Sequence, residues 1–420
     1  MSKLWLNKDF FVVLALLFSV TVHAQSFVGT WSGKISFGGT SLHIVFNISE
    51  NAEGGTVCKM DSPDQGAKGI PASVELVSSD SISIRVPNLA IEYNGKLTDG
   101  EIHGIFSQAG LRLGLDLKNE RLVYHRPQNP EAPYPYTTEE IEFANEEANA
   151  ILSGTLTYPV GYEKGEKIPV IVMVTGSGPQ NRDSEIFEHK PFLVMADYLA
   201  RNGYATLRYD DRAVGKSTGR YQAETTREVA KDAALAVKYL RETRRFSEIG
   251  ILGHSEGGCV VFMLGAEKLI DFGISMAGMG IRGDECLYEQ GVAIARQSGQ
   301  EYPFTKEQLR DYLKGERITW YDFFLDYDPA SDIRETTCPV FVMNGEKDLQ
   351  VLAASNVEAI RSNLPQNTKS CVKIYPGLNH LFQECTTGVP AEYINIEQTI
   401  SPVVLEDMVD WLKWIQTEQK

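Results

Sequence analysis

The stretch RPQNPEAPYPYTTEE, residues 126 to 140, separates two hydrophobic patterns that belong to different kinds of fold. Ahead of it, over residues 25 to 122, short runs alternate apolar and polar residues: TWSGKISF, SLHIVFNIS, SISIRV, LRLGLDLK. Turn residues such as NAEGG and TDG divide these runs at short, fairly even spacing, and no helical period intervenes. A period of two in short repeated segments predicts a small all-β antiparallel barrel or sandwich. The four prolines then predict a stiff, exposed linker over residues 123 to 140 and a domain boundary. A chain of 420 residues is also too long for one ordinary domain.

Behind the prolines, over residues 141 to 420, strands alternate with helices. Ile168 to Val174 is a continuous apolar strand, and PFLVMADYLARNG is a helix stopped by Gly203. YATLRY is a strand, TTREVAKDAALAVKYLRETRR an amphipathic helix, and IGIL a strand entering GHSEGG. FGISMAG, CPVFVMNGEKD and SCVKIYPGLNH add three strands before the closing helix SPVVLEDMVDWLKWIQ. Apolar strands alternating with helices give the fold class as α/β, a mostly parallel sheet covered on both faces. Residues 281 to 335 break the alternation with helical, aromatic-rich sequence (GERITWYDFFLDYD), which reads as an insertion lying over one end of the sheet as a lid.

The first residues, MSKLWLNKDFFVVLALLFSVTVHAQS, have Lys3 and Lys8 ahead of an apolar run from Phe10 to Val20, then Val22-His23-Ala24. This is the layout of a signal peptide over residues 1 to 24, cleaved after Ala24, so the protein is expected to be exported, periplasmic or secreted. The apolar run is about half of the roughly 20 residues that a spanning helix needs. No membrane span is expected after its removal. The net charge of −16 offers no basic face for a phosphate backbone, so nucleic acid is not an expected partner. The six cysteines form no CxxC pair and no Cys/His cluster with zinc spacing, and Cys259, beside the motif GHSEGG, reads as a buried thiol. No metal or organic cofactor is implied.

Gly-x-Ser-x-Gly occurs twice, at Gly253 to Gly257 and at Gly215 to Gly219. A nucleophile elbow needs a strand running directly into the serine and a helix leaving it. Ile249 to Leu252 runs into Gly253 and an apolar helix follows, whereas Ser217 lies beyond its strand in a polar loop. Ser255 is therefore the candidate nucleophile. A serine hydroxyl needs a base, and the base an orienting acid, which on such a sheet follow in the order Ser, Asp or Glu, His. His380, in YPGLNHLF, is the one histidine beyond Ser255. NGEKD, after the preceding strand, offers Asp348 as the acid, with Glu346 in reserve. The oxyanion hole calls for backbone N–H donors, expected from Glu256 and from Ser177 or Gly178 in the loop TGSGP. Asp210 removes the glycine that a phosphate-binding loop would need before Lys216-Ser217. Gly278-Met279-Gly280-Ile281-Arg282-Gly283 matches a dinucleotide fingerprint but lacks the strand that should follow it. Trp320, Tyr321, Phe323, Phe324 and Tyr327 either wall an acyl pocket or form the core of the inserted helices, and Asp326 and Asp328 read as solvated or lid charges.

The segments VTGSGPQNRD, HKPFLVMADYLARNGYATLRYDDRAVGKSTG, GILGHSEGG, NGEKDLQV and PGLNHLF, in that order, resemble the α/β-hydrolase superfamily. More narrowly, residues 135 to 420 are similar to bacterial exported esterases and serine aminopeptidase-like hydrolases. The resemblance implies a triad of Ser255, Asp348 and His380 with an oxyanion hole from Ser177 and Glu256. Ala213 departs from it, standing where such sequences often have Gly. The expected function is hydrolysis of a small-molecule carboxylic ester or other acyl substrate through an acyl-enzyme. Peptidase action on small peptides or amides is the alternative. From another class, the β domain would bind glycan or a partner beside an inert hydrolase domain.

Overall fold

The computed structural model describes residues 27 to 417 apart from residues 38–39, 66 and 222–224, so the expected signal peptide over residues 1 to 24 lies outside the described residues. The chain forms two compact units, one up to Leu122 and one from Val123 onward.

In the first unit β1 (Gly29–Phe37), β2 (Thr40–Glu50), β3 (Thr56–Ser62), β4 (Ala67–Val77), β5 (Ser81–Val86), β6 (Ile91–Thr98), β7 (Glu101–Gln108) and β8 (Leu111–Asn119) close into an antiparallel barrel. Each strand pairs with the next, and β8 returns to β1 at Trp31 opposite Asn119. The expectation of a barrel or a sandwich resolves to the barrel. Alternate residues fill its interior: Trp31, Phe46, Met60, Ile84, Tyr93 and Phe106 are all buried there. The two polar groups drawn in with them find backbone acceptors. Trp31 Nε1 donates to Phe27 O at 2.7 Å and the Tyr93 hydroxyl to Leu115 O at 3.0 Å, so their burial costs little.

The second unit is an eight-stranded sheet. Its strands are β9 (Thr138–Asn145), β10 (Ala150–Thr157), β11 (Ile168–Val174), β12 (Ala205–Tyr209), β13 (Phe246–His254), β14 (Phe272–Met276), β15 (Val340–Gly345) and β16 (Cys371–Tyr375). Their order across the sheet is β16-β15-β14-β13-β11-β12-β10-β9. β11 to β16 run parallel, while β10 pairs antiparallel with both β9 and β12. β11 reads as an unbroken apolar run because both of its faces are covered. Val170, Val172 and Val174 face the cluster built with α2 (Thr226–Thr243) and α3 (Glu256–Ala266). Ile171 and Met173 face the cluster built with α1 (Pro191–Arg201) and α9 (Pro402–Thr417). Between β14 and β15 the chain inserts α4 (Gly283–Gln297), α5 (Lys306–Gly315), α6 (Thr319–Phe324) and α7 (Ala330–Glu335). Arg310 of α5 bonds Asp284 at 3.0 Å and pairs with Asp326, so Asp326 is a structural charge of the insertion.

The expected exposed linker needs correcting in one respect. Residues 123 to 137 hold no helix or strand, but they lie bound to the second unit, and Thr138 to Glu140 already belong to β9. Arg126, 9% exposed, donates to the carbonyls of Phe187, Ile394 and Ile396. Gln128 donates to Ile400 O and accepts from Thr399 N. Prolines signal a stiff chain without donors; whether that chain is free depends on the side chains between them, and here Arg126 and Gln128 supply the missing donors.

Candidate active site

The site is assembled where the parallel strands end. β13 delivers Gly253-His254-Ser255 into α3 with no intervening loop. Ser255 has φ 56° and ψ −117°, a conformation that side chains other than glycine's rarely adopt. The turn is held in it by backbone contacts: Ser255 N donates to Met276 O at 2.8 Å and Gly258 N to Ser255 O at 2.9 Å. A Cβ at Gly257 would fall 2.3 Å from Val174 O, so only glycine lets the first turn of α3 pack against the end of β11. That packing brings the loop from Thr175 to Gly178 to Ser255, where a Cβ at Gly176 would lie 3.1 Å from the Ser255 Cβ. Glu256 opens α3, so its backbone N–H has no partner from within the helix.

The structure joins His380 and Asp348 directly. His380 Nδ1 donates to Asp348 Oδ2 at 2.7 Å, and both residues are buried, at 4% and 2% exposure. The other carboxylate oxygen accepts from Gln350 N at 2.8 Å and Val351 N at 2.9 Å, bonds that hold the loop after β15 in a fixed shape. With the Nδ1 proton committed to Asp348, Nε2 keeps a lone pair and is free to take a proton. The reserve acid, Glu346, is exposed and accepts from Gly377 N at 3.0 Å, which places it outside this pair.

His254 has a role that sequence reasoning missed. Its Nε2–H donates to His380 O at 2.9 Å, and the two imidazoles lie 4.7 Å apart. The residue before Ser255 thereby ties the loop carrying His380 to the turn carrying Ser255. Burial, then the nearby His380, push the His254 imidazole down to about 3, so it stays a neutral donor. The signal was present, since the histidine sits inside GHSEGG, but the motif alone does not say which carbonyl it meets.

The carboxyl of Glu256 is a second addition. It is buried and its Oε1 accepts from Thr226 Oγ1 at 2.5 Å and from Trp320 Nε1 at 2.7 Å, with a further bond to the Ser177 side chain. Burial raises its pKa above the usual carboxylate range. Close by, Asp211 accepts from Thr175 Oγ1 and from Gln180 N, and burial pushes it up to about 7. Of the five aromatic residues of the insertion, Phe324 and Tyr327 are core, Phe323 packs against that core, and Tyr321 packs on the cluster around Leu309. Trp320 lines a cavity with Gly176, Gly178 and Glu256.

The rival motifs find structural uses. Ser217 is 7% exposed; its hydroxyl donates to Asp210 O at 2.7 Å and accepts from Ser153 N at 2.9 Å. The loop Gly278 to Gly283 turns its Gly280 N–H onto Asn356 Oδ1 at 2.9 Å. Ala213 has φ 61°, the left-handed region, which accounts for the glycine usual at that place. Among the described residues no three His, Cys, Asp or Glu side chains group as a metal site. No described helix is long and apolar enough to cross a membrane.

Parts of the chain are similar to known proteins. Residues 189 to 277 match the family described as serine aminopeptidase, S33. Esterase EstD of Thermotoga maritima is 24% identical over 273 residues, covering 62% of this chain. The matched part spans 65% of EstD, just under two thirds of that relative's length. Among solved structures, the Pyrococcus furiosus esterase Pf2001 is similar with a TM-score of 0.45 at 18% identity, covering 71% of this chain and 99% of that one. Est1E of Butyrivibrio proteoclasticus, bound to ferulic acid, is similar with a TM-score of 0.45 at 18% identity, covering 65% and 99%. The strand order and the serine turn between β13 and α3 are those of an α/β-hydrolase fold, which follows an eight-stranded antiparallel barrel in the chain, and its segment from residue 189 to residue 277 is similar to the serine aminopeptidase family.

Proposed function

We propose that the protein hydrolyses small-molecule carboxylic esters by two-step acyl transfer, with Ser255 as nucleophile, His380 as general base and acid, and Asp348 as the group that orients it. The observation that carries this reading is the His380–Asp348 bond of 2.7 Å, with His380 O also held by the histidine next to Ser255. Ser255 Oγ attacks the ester carbonyl as its proton passes to His380 Nε2. The oxyanion is met by the backbone N–H of Glu256 and that of Ser177 or Gly178, in the two segments that Gly176 and Gly257 bring together. The carbon–oxygen bond to the alcohol then breaks and His380 returns the proton to the leaving oxygen. Water, deprotonated by His380, cleaves the acyl-enzyme to release the acid and Ser255. Esters are favoured over amides because an alkoxide leaves more readily than an amine. Nothing in the scheme calls on a metal or cofactor.

Fluorophosphonate labelling tests the nucleophile. Labelling is expected to vanish in Ser255→Ala and to persist in Ser217→Ala, which should lose stability through its two buried hydrogen bonds, by about 1–3 kcal/mol. The reverse pattern overturns the assignment. A panel of acyl esters and aminoacyl amides then separates the esterase from an aminopeptidase. Absence of both labelling and turnover would point to a binding protein. Residues 1 to 24 are proposed to direct export; a truncated amino terminus beginning at Gln25, read by mass spectrometry of the protein from its own cells, is the expected result.

A further inference from the structure

Resting on that reading of His380, we infer that His189 is a positioning residue for the catalytic base: a chain of buried side chains, His189, Gln383 and Asn379, sets the turn that carries His380. His189 stands just ahead of α1, far in sequence from β16 and the turn after it, and no step of the proposed mechanism calls on it. It is nevertheless buried at 0% exposure, as are Asn379, Gln383 and Thr399. Polar side chains buried together cost stability unless their donors meet acceptors.

The bonds of this group allow one arrangement of protons. Asn379 Oδ1 accepts from Leu381 N at 2.9 Å and Gln383 N at 3.0 Å, so the other end of its amide is the NH₂. That NH₂ donates to Gln383 Oε1 at 3.0 Å, which turns the Gln383 NH₂ toward Gln398 O at 2.9 Å and His189 Nε2 at 3.2 Å. His189 Nε2 must then offer a lone pair, and the ring proton sits on Nδ1, donating to Thr399 Oγ1 at 2.9 Å. Tyr393 O lies 3.3 Å from Nε2, but a proton turned toward it would leave the Gln383 amide facing a second donor. Burial, then the charge of Arg126, push the imidazole down to about 4, which keeps it in this neutral form.

Both ends of the chain are anchored. At one, His189 N and O exchange bonds with Ile186 across a tight turn in which Phe187 and Glu188 have φ 50° and 63°. At the other, Asn379 and Gln383 bracket His380. Asn379 N donates to Gln383 O at 3.0 Å and Phe382 N to Asn379 O at 3.0 Å, while Phe382 itself has φ 60°. Left-handed backbone at residues other than glycine persists only where surrounding contacts hold it. The Gln383 amide carries one such contact into the turn, and His189 is its acceptor.

The test is steady-state hydrolysis of p-nitrophenyl acetate by the full protein, with a thermal melt of each variant. His189→Leu keeps an apolar bulk but offers Gln383 no acceptor. Its kcat is expected to fall about 10- to 100-fold, the range that a displacement of about 1 Å produces. KM should stay within about threefold, because His189 does not reach the substrate. In His189→Gln the side-chain oxygen can accept from Gln383, and kcat is expected to return to within about fivefold of wild type, as a loss of packing alone would not. Should His189→Leu fail to fold, Thr399→Val removes only the acceptor of the Nδ1 proton and is expected to lower kcat by about 2- to 10-fold, the range of one net hydrogen bond. Ring-nitrogen NMR of the protein labelled with ¹⁵N-histidine reads the tautomer directly. The signal lost in His189→Gln is expected to show a bare Nε2 and a protonated Nδ1. The opposite tautomer, an unchanged kcat in folded His189→Leu or in Thr399→Val, or a His189→Gln no more active than His189→Leu overturns the inference. If ester turnover instead survives His380→Ala, the reading of the base itself has failed, whatever the His189 variants do.

Discussion

Replacing Asp348 by Asn tests the centre of the proposed mechanism with almost no change in shape. The carboxylate accepts three bonds: from His380 Nδ1 at 2.7 Å, Gln350 N at 2.8 Å and Val351 N at 2.9 Å. An amide has one carbonyl oxygen to offer. If that oxygen faced His380, two buried backbone N–H groups would lose their acceptor, at about 1–3 kcal/mol each. The oxygen therefore stays on the loop and the amide NH₂ faces the imidazole. Two donors cannot face each other, so His380 shifts to the tautomer with its proton on Nε2, which cannot take the proton of Ser255. The expected loss in kcat is about 10³- to 10⁴-fold, or about 4–5.5 kcal/mol of transition-state stabilisation. KM should move by no more than about twofold, because Asp348 does not reach the substrate. Steady-state kinetics on p-nitrophenyl acetate, with a thermal melt showing a folded protein, provide the assay. An Asp348→Asn variant within tenfold of wild-type kcat refutes the argument.

Two further predictions concern strain and acid. Ala213→Gly relieves the left-handed backbone at φ 61° and should stabilise the hydrolase unit by about 0.5–1 kcal/mol, a gain of about 1–3 °C in Tm; a lower Tm contradicts it. Asp211, raised to about 7, contributes stability that is fully present below the unfolded carboxylate value and is lost as pH rises through 7. Asp211→Asn removes that contribution while keeping a carbonyl oxygen for Gln180 N and Thr175 Oγ1. Its stability relative to wild type should fall as pH drops from 7 to 4, by up to about 1.4 kcal/mol per unit, measured by urea unfolding at several pH values. Parallel curves for the two proteins exclude the shifted carboxyl.

The hydrolase sheet could be read from the sequence because its information is local. Ile168 to Val174 is apolar throughout since both faces of β11 are covered, and Ser255 could be separated from Ser217 because a strand runs straight into only one of them. His380 and Asp348 followed from chain order, which the parallel sheet converts into position. The barrel was legible as a period of two, but its closure rests on the pairing of β1 with β8, some 90 residues apart, for which the sequence carries no local mark. The same holds for the bonds of His254 to His380 O and of Trp320 to Glu256. Each joins distant segments through one polar atom, and neither disturbs the hydrophobic pattern. Arg126 is the clearest case. An arginine beside prolines reads as solvent-exposed, yet its guanidinium is spent on three carbonyls from 61 to 270 residues away.

That arginine decides where the molecule has its seam. The proline-rich stretch is part of the hydrolase, stitched to it by Arg126 and Gln128, so the natural joint lies between Leu122 and Val123. A gene that gained, lost or exchanged the barrel at that joint would leave every one of those stitches in place. One that recombined within the prolines would leave the carbonyls of Ile394 and Ile396 without their donor, on the stretch that also holds Gln350 through Tyr393. Of the two cuts, the one between Leu122 and Val123 keeps the bonds of Arg126 and Gln128 intact.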